Sequence, residues 1–418
     1  MTTSTLDSAT GLQRNRGQLQ LDGVALDEIA ARFDTPSYVY SHALIDANWR
    51  RYAAAAGAAG SVHYAVKANP CGAILQHLAR LGAGFDIVSA HEMRRVLQAG
   101  GRASSIVFSG VGKRDEELNA ALVAGIGCFN IESVDELQRL DRLAQSRGTT
   151  ATVALRVNPD VTPDTHRHIA TGGGTHKFGI EQARIADVAQ LAQGMPGIAL
   201  DGLAMHIGSQ ICDLDPIVAA TRALRRLADQ LRANGLPIHH LDLGGGLVTG
   251  DAAPTIEHYI EALREAAGSD YRLAFEPGRS IVAEAGLMLT RVVAIKRNGD
   301  RQFAIVDAGM NDFLRPALYD AMHPIVAVAE SDTAPASYDI VGPVCETADT
   351  LGHQRELSLS PGSLVAMLET GAYGAAMSSH YNSRPRCAEI MVIAGEARLV
   401  RQRESFDDLV RHEQLLEY

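Results

Sequence analysis

The fold is decided by residues 61–109, which read SVHYAVKANPCGAILQHLARLGAGFDIVSAHEMRRVLQAGGRASSIVFS. This stretch holds three short apolar runs rich in β-branched residues, separated by two segments with the spacing of amphipathic helices. Strands that alternate with helices in this way predict βαβ units and a parallel sheet. The predicted strands are Val62–Val66, Phe85–Val88 and Ile106–Phe108, and the predicted helices are Ala73–Leu81 and His91–Ala99.

The same alternation continues as far as Pro277 and brings the number of predicted strands to eight. Eight parallel strands with helices between them close a (β/α)8 barrel, which typically takes about 250 residues. An open doubly wound sheet is the alternative. The remaining strands are predicted at Cys128–Ile131, Thr152–Val157, Leu203–His206, His239–Leu243 and Leu273–Phe275, and further helices at Arg114–Ala124, Val134–Gln145 and Ile217–Asn234.

The residues at the ends of these strands favour the barrel. In a TIM-type barrel the carboxyl ends of all strands open on the face that carries catalysis, so polar and reactive side chains should recur there. We therefore predict a barrel over residues 41–284 with a functional site at this face. The strand ends carry Lys67, Asp86, Ser109, Asn130, Arg156, His206, Gly244–Gly246 and Glu276.

After Glu284 the pattern changes to short apolar runs with turns between them and few long helices, which predicts antiparallel β structure. The N-terminal segment, with a strand at Gln18–Leu21, a helix at Ala25–Phe33 and a strand at Ser37–Tyr40, is predicted to join it. We expect a discontinuous antiparallel β-barrel domain over residues 1–40 and 285–418. Its later strands are predicted at Leu287–Ile295, Phe303–Val306, Ile325–Val328, Tyr338–Val341, Leu364–Leu368 and Glu389–Ile393.

Composition excludes several classes of function. With 418 residues the chain is long enough for two or three domains, and its net charge of -11 argues against nucleic acid as the main partner. No apolar run approaches the roughly 18 residues of a membrane helix, and no secretory signal is recognised, so we expect a soluble cytoplasmic protein. Five cysteines without a CxxC pair predict neither a disulfide framework nor a metal site.

Two segments of the barrel have unusual chemistry. Lys67 ends an apolar strand, where desolvation favours the neutral amine that forms a Schiff base with an aldehyde; a lysine that reaches solvent at the barrel mouth is the alternative. Gly244, Gly245 and Gly246 leave backbone N–H groups accessible and allow close approach to a phosphate, although a flexible turn would look the same.

Two other strand ends could bind an aromatic cofactor. His206 could stack on its ring, and Ser209 could bind a phosphate, whereas a lone histidine is more often a core residue. Glu276 could keep a pyridine nitrogen protonated, with Gly278 and Arg279 beside it; a surface salt bridge is the alternative.

The β domain contributes a second set of candidates. Cys345, next to Glu346 and flanked by turn residues, could donate a proton rather than pack as a small hydrophobic residue. Arg315 offers a planar guanidinium fork to a carboxylate, with an ordinary ion pair as the alternative. Tyr373 stands between Gly371 and Gly374 in a short turn-like segment.

Taken together and in this order, these segments resemble the fold type III pyridoxal-phosphate-dependent decarboxylases, from about Gly17 to the C-terminus. Within that family the sequence is most similar to the branch that decarboxylates meso-diaminopimelate to L-lysine and carbon dioxide. The most specific segments are Asp307–Asp312, Arg315–Tyr319 and Tyr381–Pro385, and the others are Tyr64–Asn69, His206–Gln210, Leu241–Gly246, Glu276–Arg279, Cys345–Glu346 and Gly371–Gly374.

The resemblance implies a role for each matching residue. Lys67 would bind pyridoxal 5′-phosphate covalently. Glu276 would pair with the pyridine nitrogen of the cofactor, and His206 would stack on its ring, with Asp86 nearby. The phosphate would be surrounded by Ser209, Gly244, Gly245, Gly246, Gly278 and Tyr373, with Arg279 close to both cofactor and substrate.

The resemblance also implies how substrate would be bound. Arg279, Arg315 and Tyr319, with Tyr373 nearby, would bind the distal carboxylate of meso-diaminopimelate, and Glu346 its distal ammonium. Cys345 would protonate the substrate carbon. Because the Cys345 loop of this family reaches into the neighbouring subunit's site, an obligate homodimer is implied.

Other readings remain open within and beyond the family. A relative could act on ornithine, arginine, a carboxylated polyamine or a carrier-bound amino acid, or could be a racemase; an inactive homologue could bind a regulator. Paired arginines would repel a diamine precursor, and an inactive homologue would have lost the lysine, the glycines or the cysteine. The chain departs from the usual family pattern at Ala90–His91 and at Thr347–Ala348, and both departures leave the named groups intact.

Overall fold

The computed structural model describes residues 11–58, 60–159, 177–250 and 253–417. The chain divides into two compact units, one from the described parts of Met1–Ala47 and Ile281–Tyr418 and the other from those of Asn48–Ser280. The domain limits given above, 41–284 for the barrel and 1–40 with 285–418 for the β domain, stay a prediction. Residues 1–10 of that β domain lie outside the described residues.

Eight parallel strands form a closed barrel in the described part of the second unit. Each strand pairs with the next one along the chain, and the last pairs with the first through Leu273 and Gly60. The predicted (β/α)8 barrel is therefore confirmed, and the open sheet is wrong because it would leave these two strands as edges. The strands are Gly60–Ala65, Gly84–Ile87, Ile106–Phe108, Cys128–Ile131, Ala151–Asn158, Ile198–Ala204, His240–Asp242 and Arg272–Phe275.

One helix precedes the first barrel strand and others connect the strands, and several begin with the capping residue that their sequence supplies. The side chains of Ser89 and Ser133 each accept a hydrogen bond from the backbone N–H three residues later, which satisfies one of the free donors of the first turn. The helices span His42–Ala56, Gly72–Arg80, Ala90–Gln98, Asp115–Ala124, Val134–Ser146, Ile185–Gln193, Asp215–Ala233 and Ile256–Ala267.

The other unit is a mostly antiparallel β domain, as predicted, and it includes the N-terminal segment. Ser37–Ser41 pairs antiparallel with Gly286–Asn298 and parallel with Ala388–Ile393. A second parallel pair joins Arg301–Val306 to Ala336–Val341. Its other elements are the strands Leu12–Asn15, Gln18–Leu21, Val24–Ala25, Ile325–Ala327, Thr350–Leu357, Leu364–Met367 and Glu396–Arg401 and the helices Leu26–Phe33, Arg315–Tyr319 and Phe406–Val410.

Apolar side chains on one face of these strands form the core of the β domain. Val39, Leu287, Leu289 and Ile390 are buried in one cluster, which spans strands from both ends of the chain. Burial of this shared face ties the N-terminal segment to the C-terminal part of the domain. Within the described ranges, no helix is long and apolar enough to cross a membrane.

Replacing Leu289 by alanine should lower the free energy of unfolding by about 2–5 kcal/mol, because it removes buried methyl groups and leaves a cavity. Leu289 is fully buried, whereas Val293 on the same strand is 61% exposed. The control Val293→Ala should therefore change the free energy by about 0.5 kcal/mol or less. Urea denaturation of both variants measures the difference, and equal losses would contradict this description of the core.

Candidate active site

Lys67 and Asp86 form an ion pair at the carboxyl ends of the first two barrel strands. Lys67 lies in the one-turn helix Val66–Ala68 directly after the first strand, and its Nζ is 2.5 Å from Asp86 Oδ2. The Asp86 side chain is fully buried, whereas 36% of the Lys67 side chain is exposed. The amine is thus held at the rim of the barrel, with one side open to an incoming molecule.

The turn that carries Lys67 packs tightly against the segment after the last strand. The backbone N–H of Ala65 donates to the carbonyl oxygen of Pro277 at 3.0 Å. A Cβ atom at Gly278 would lie 2.9 Å from Cβ of Ala68 and 3.1 Å from that of Ala65. Glycine at position 278 therefore lets the two segments touch, which places Glu276 and Lys67 at the same part of the rim.

Gly244, Gly245 and Gly246 form a tightly packed turn, here called the glycine cradle, which has no room for side chains. Gly244 and Gly246 have φ angles of +67° and +115°, which favour glycine. For each of the three glycines, the nearest atom that an added Cβ would meet is a backbone oxygen of an adjoining loop. Cβ atoms at Gly244, Gly245 and Gly246 would lie 2.6 Å, 2.2 Å and 2.3 Å from the carbonyl oxygens of Met205, Glu276 and Gly208.

His206 is neutral and is oriented by this cradle. Its Nδ1 accepts a hydrogen bond from the backbone N–H of Gly245 at 3.4 Å, so the proton of the neutral ring is on Nε2. Burial and the positive charges of Arg156 and Lys67 hold the pKa of His206 well below its usual value. The ring thus offers a flat, uncharged surface at the barrel rim.

Glu276 lies in the interior of the barrel, close to two other buried carboxyl groups, Asp86 and Asp242. Its Oε1 accepts weak hydrogen bonds from Asn130 Nδ2 at 3.4 Å and Ser109 Oγ at 3.5 Å. Burial raises the pKa of Glu276 well above the usual range, and the negative charges of Asp242 and Asp86 raise it further. A protonated carboxyl at this position can give a hydrogen to a basic atom of a bound ring.

Arg279 and Ser209 join the segments that follow the eighth and the sixth strand of the barrel. Nη2 of the buried Arg279 guanidinium donates to Ser209 Oγ at 3.1 Å. Both groups are suited to anionic oxygens, because the guanidinium presents several fixed donors and the hydroxyl adds one more.

In the β domain, a histidine fixes the orientation of Arg315. Arg315 is 3% exposed, and its Nε donates to Nε2 of His323 at 3.4 Å. Nδ1 of His323 in turn contacts the carbonyl oxygen of Leu368 at 3.1 Å, as a neutral ring with its proton on Nδ1 would do. The Arg315 guanidinium lies 5.6 Å from the ring centre of Tyr319.

The loop that carries Cys345 and Glu346 is held in place by residues to which the sequence assigned no role. Asp349 accepts hydrogen bonds from the backbone N–H groups of Met310 at 2.6 Å and Val344 at 2.7 Å. Both Cys345 and Glu346 remain exposed at the surface of this unit. The loop is therefore anchored at its base while its reactive side chains stay accessible.

A second segment contacts the tip of the same loop. Tyr381 donates its hydroxyl hydrogen to the Glu346 carboxylate, and Asn382 Oδ1 accepts from the backbone N–H of Cys345 at 3.2 Å. Tyr381–Pro385 stands out in the sequence as a motif, but a motif does not reveal which distant residues it contacts. Asp349, Tyr381 and Asn382 are thus site residues that the sequence analysis missed.

Tyr373 is half-buried in the β domain, and its φ of +56° places it in the left-handed region. His91 is exposed, and the neighbouring Glu92 accepts from the backbone N–H of Val88 at 2.7 Å. In the described part of the chain, no group of three His, Cys, Asp or Glu side chains is arranged to hold a metal ion.

Residues 42–283 match the family "Pyridoxal-dependent decarboxylase, pyridoxal binding domain". The diaminopimelate decarboxylase of Pseudomonas fluorescens is 50% identical over 406 residues, which are 96% of this chain and 98% of that protein. A crystal structure of diaminopimelate decarboxylase from Helicobacter pylori, complexed with L-lysine, superimposes with a TM-score of 0.89 at 38% identity, covering 93% of this chain and 99% of that one. The M. jannaschii diaminopimelate decarboxylase in co-complex with L-lysine gives a TM-score of 0.92 at 34% identity and 99% coverage of both chains.

Replacing Asp349 by alanine should loosen the Cys345–Glu346 loop, because two backbone N–H groups lose a buried acceptor. We expect amide hydrogen exchange at Met310 and Val344 to become faster by roughly tenfold or more. The exposed Asp332 of the same unit provides the control, since Asp332→Ala removes a carboxylate at the surface. Unchanged exchange in Asp349→Ala would contradict the anchoring role.

Proposed function

The chain belongs to the pyridoxal-dependent decarboxylases, and we propose that it converts meso-2,6-diaminopimelate to L-lysine and carbon dioxide, the last step of lysine biosynthesis. The observation that carries the proposal is the meeting of Lys67, His206 and Glu276 with the glycine cradle at one rim of the barrel. The choice of substrate is supported by the 50% identical diaminopimelate decarboxylase and by the two solved relatives that hold L-lysine, the product of this reaction.

The proposed cofactor is pyridoxal 5′-phosphate, and the barrel residues fit it. The Arg279 guanidinium and the Ser209 hydroxyl, 3.1 Å apart, are donors that suit a phosphate, and the phosphate is assigned to the neighbouring turn of Gly244, Gly245 and Gly246 on the basis of the family resemblance. The amine of Lys67 would bind the aldehyde carbon, and the buried acid Glu276 suits a basic ring nitrogen. Ser209, Gly278, Arg279 and Tyr373 are assigned to the phosphate end on the basis of the family resemblance.

The chemistry of the step follows from charge. When bound, pyridoxal phosphate supplies an electron sink, because its protonated ring accepts the electron pair that loss of carbon dioxide leaves at the substrate carbon. Glu276 would keep the ring nitrogen protonated, and His206 would offer the ring a surface that adds no charge. Asp86 holds the Lys67 amine at the rim of the barrel.

Substrate selection follows from side chains of opposite charge. We assign the distal carboxylate to Arg279 and Arg315, with Tyr319 and Tyr373 nearby, and the distal ammonium to Glu346. The support from this structure is that Arg315 is oriented by His323 and Glu346 by Tyr381. Ornithine has an ammonium but no carboxylate at its far end, so it would leave both arginines without a partner. Leaving a charged hydrogen-bonding group unpaired costs about 1.5–3 kcal/mol.

We further propose that Cys345 delivers a proton from Sγ to the substrate carbon, and that it does so in the site of a neighbouring subunit. The exposure of Cys345 and Glu346 on their anchored loop supports an obligate homodimer with shared sites. A cytoplasmic location is supported by the cysteines, all of which are free thiols, as is usual in reducing compartments.

Two rival functions are less well supported by the residues present. In a relative specific for ornithine, arginine or a polyamine, the buried Arg315 would have no distal carboxylate to bind. An inactive regulator-binding homologue would not need the buried acid Glu276 at the same rim as Lys67, or an exposed Cys345. The reaction itself therefore provides the deciding experiment.

We expect purified protein supplied with pyridoxal phosphate to release carbon dioxide from meso-diaminopimelate. Its kcat/KM for L-ornithine should be lower by roughly a hundredfold or more, since two arginines lose their carboxylate partner. The variant Lys67→Ala should lose both turnover and the visible absorbance of the bound cofactor near about 420 nm. Comparable rates with both substrates, or an unchanged spectrum in Lys67→Ala, would refute the proposal.

The shared site predicts complementation between two inactive variants. Cys345→Ala should keep the cofactor absorbance but slow turnover by roughly 10²–10⁴-fold, the usual contribution of a general acid. Mixing it with Lys67→Ala should restore part of the activity, because one of the two sites in a hybrid dimer is then intact. No recovery after verified subunit exchange would argue against a site built from two chains.

A further inference from the structure

The side chain of Asn130 crosses the interior of the barrel from the fourth strand to the opposite wall. The residue is buried, and its Nδ2 is 3.1 Å from Asp242 Oδ2 and 3.4 Å from Glu276 Oε1. Asp242 ends the seventh strand, and Glu276 directly follows the eighth. In a closed barrel of eight strands the fourth and the eighth face each other. One amide group therefore joins two walls of the barrel that share no backbone pairing.

These contacts belong to a closed ring of four hydrogen bonds. Asp242 Oδ1 accepts from the backbone N–H of Gly244 at 3.0 Å. The carbonyl oxygen of Gly244 accepts from the backbone N–H of Glu276 at 2.7 Å. The contacts of Asn130 Nδ2 with Asp242 and Glu276 complete the ring. The position of the Glu276 carboxyl is therefore tied to that of the first glycine of the cradle.

The neighbours of the Asn130 amide fix its orientation. The side-chain atoms that contact Nδ2 are all oxygens, those of Asp242, Glu276 and Ser109, the last at 3.1 Å. A reversed amide would place its own oxygen against Asp242 Oδ2, and two acceptors in contact make no hydrogen bond. The NH2 end of the amide thus points to the carboxyl groups. The family resemblance implied no role for Asn130.

A buried ion pair holds the backbone of Asn130 in place. Lys113 Nζ donates to the carbonyl oxygens of Asn130 at 2.7 Å and Gly110 at 2.8 Å, and it pairs with Glu136 Oε1 at 2.7 Å. These three contacts match the three hydrogens of the ammonium group. Lys113 thus joins the fourth strand to the segment after the third, and the Asn130 side chain extends from a restrained backbone.

We propose that Asn130 is a positioning residue that holds the Glu276 carboxyl and the first glycine of the cradle at a fixed separation. This inference rests on the proposed function, which assigns the ring nitrogen of the cofactor to Glu276 and the phosphate to the cradle. In this role Asn130 contacts neither end of the cofactor and acts through Glu276 and Asp242. Two ends that are already spaced for a rigid ligand lose less freedom when it binds, which strengthens binding.

The first test needs no ligand. In Asn130→Ala, the Asp242 side chain loses a donor, so the N–H of Gly244 should exchange with solvent faster by roughly tenfold or more. Asn119→Ala is the matched control, because Asn119 lies on a helix outside the barrel, where its Oδ1 accepts from Arg147 Nε at 2.5 Å. Unchanged exchange at Gly244 in Asn130→Ala, or equal acceleration in both variants, would overturn the inference.

The second test asks whether Asn130 acts through Glu276. Calorimetry on full-length protein freed of cofactor gives the Kd of 4′-deoxypyridoxine 5′-phosphate, which has the ring and the phosphate but no aldehyde to react with Lys67. Asn130→Ala should raise this Kd by roughly tenfold. Introduced into Glu276→Gln, it should raise the Kd by about threefold or less, because the carboxyl that it positions is already absent. A residue that only supports the fold would cause the same loss in both backgrounds, and that result would contradict the proposed role.

Asn130→Asp separates loss of the donor from loss of packing. This variant keeps the shape of the side chain but replaces the NH2 group by an oxygen, so it should weaken binding of the probe at least as much as Asn130→Ala. Wild-type affinity in Asn130→Asp would refute the inference alone, since shape would then be sufficient. Failure of the wild-type protein to bind the probe would refute the cofactor assignment itself, and this outcome is distinct because it does not depend on any substitution at Asn130.

Discussion

The structure depends on the pairing of the last barrel strand with the first. The register of Leu273 with Gly60 closes the sheet and brings the segment after Phe275 beside the turn that carries Lys67. The absence of a side chain at Gly278 allows the contact between the two segments. Without this closure, the amine and the buried acid would lie at opposite edges of a sheet. With it, they share one rim, and the glycine cradle of the preceding strand lies next to them.

Electrostatics then sets the chemical state of each group at the rim. Burial alone would keep every acid and base here neutral, because charges are costly in a low dielectric. Asp86 pairs with Lys67, whereas burial and like charges raise the pKa of Glu276 and lower that of His206. An imidazole of lowered pKa, an acid of raised pKa and a paired amine thus lie within one small region, a combination suited to an aldehyde cofactor.

In the β domain, the reactive residues have to be exposed and also held in position. Asp349 fixes the base of the Cys345–Glu346 loop through backbone N–H groups, and Tyr381 and Asn382 contact its tip. Backbone hydrogen bonds to a buried carboxylate restrain a loop without covering its side chains. This arrangement suits groups that act on a molecule bound elsewhere, as proposed for the partner's site.

The sequence by itself determined the alternation of strands and helices, the closed barrel and the separate β domain, and its motifs nominated the residues of the candidate site. These features follow from local periodicity, from the positions of glycines and from motifs, all of which can be read along the chain. The tertiary structure decided the two parallel pairs of the β domain, the anchoring by Asp349 and Tyr381, and the link from Asp242 through Asn130 to Glu276. Such contacts join residues far apart in the chain, and protonation depends on burial and on the sum of neighbouring charges, so neither can be read from a linear pattern.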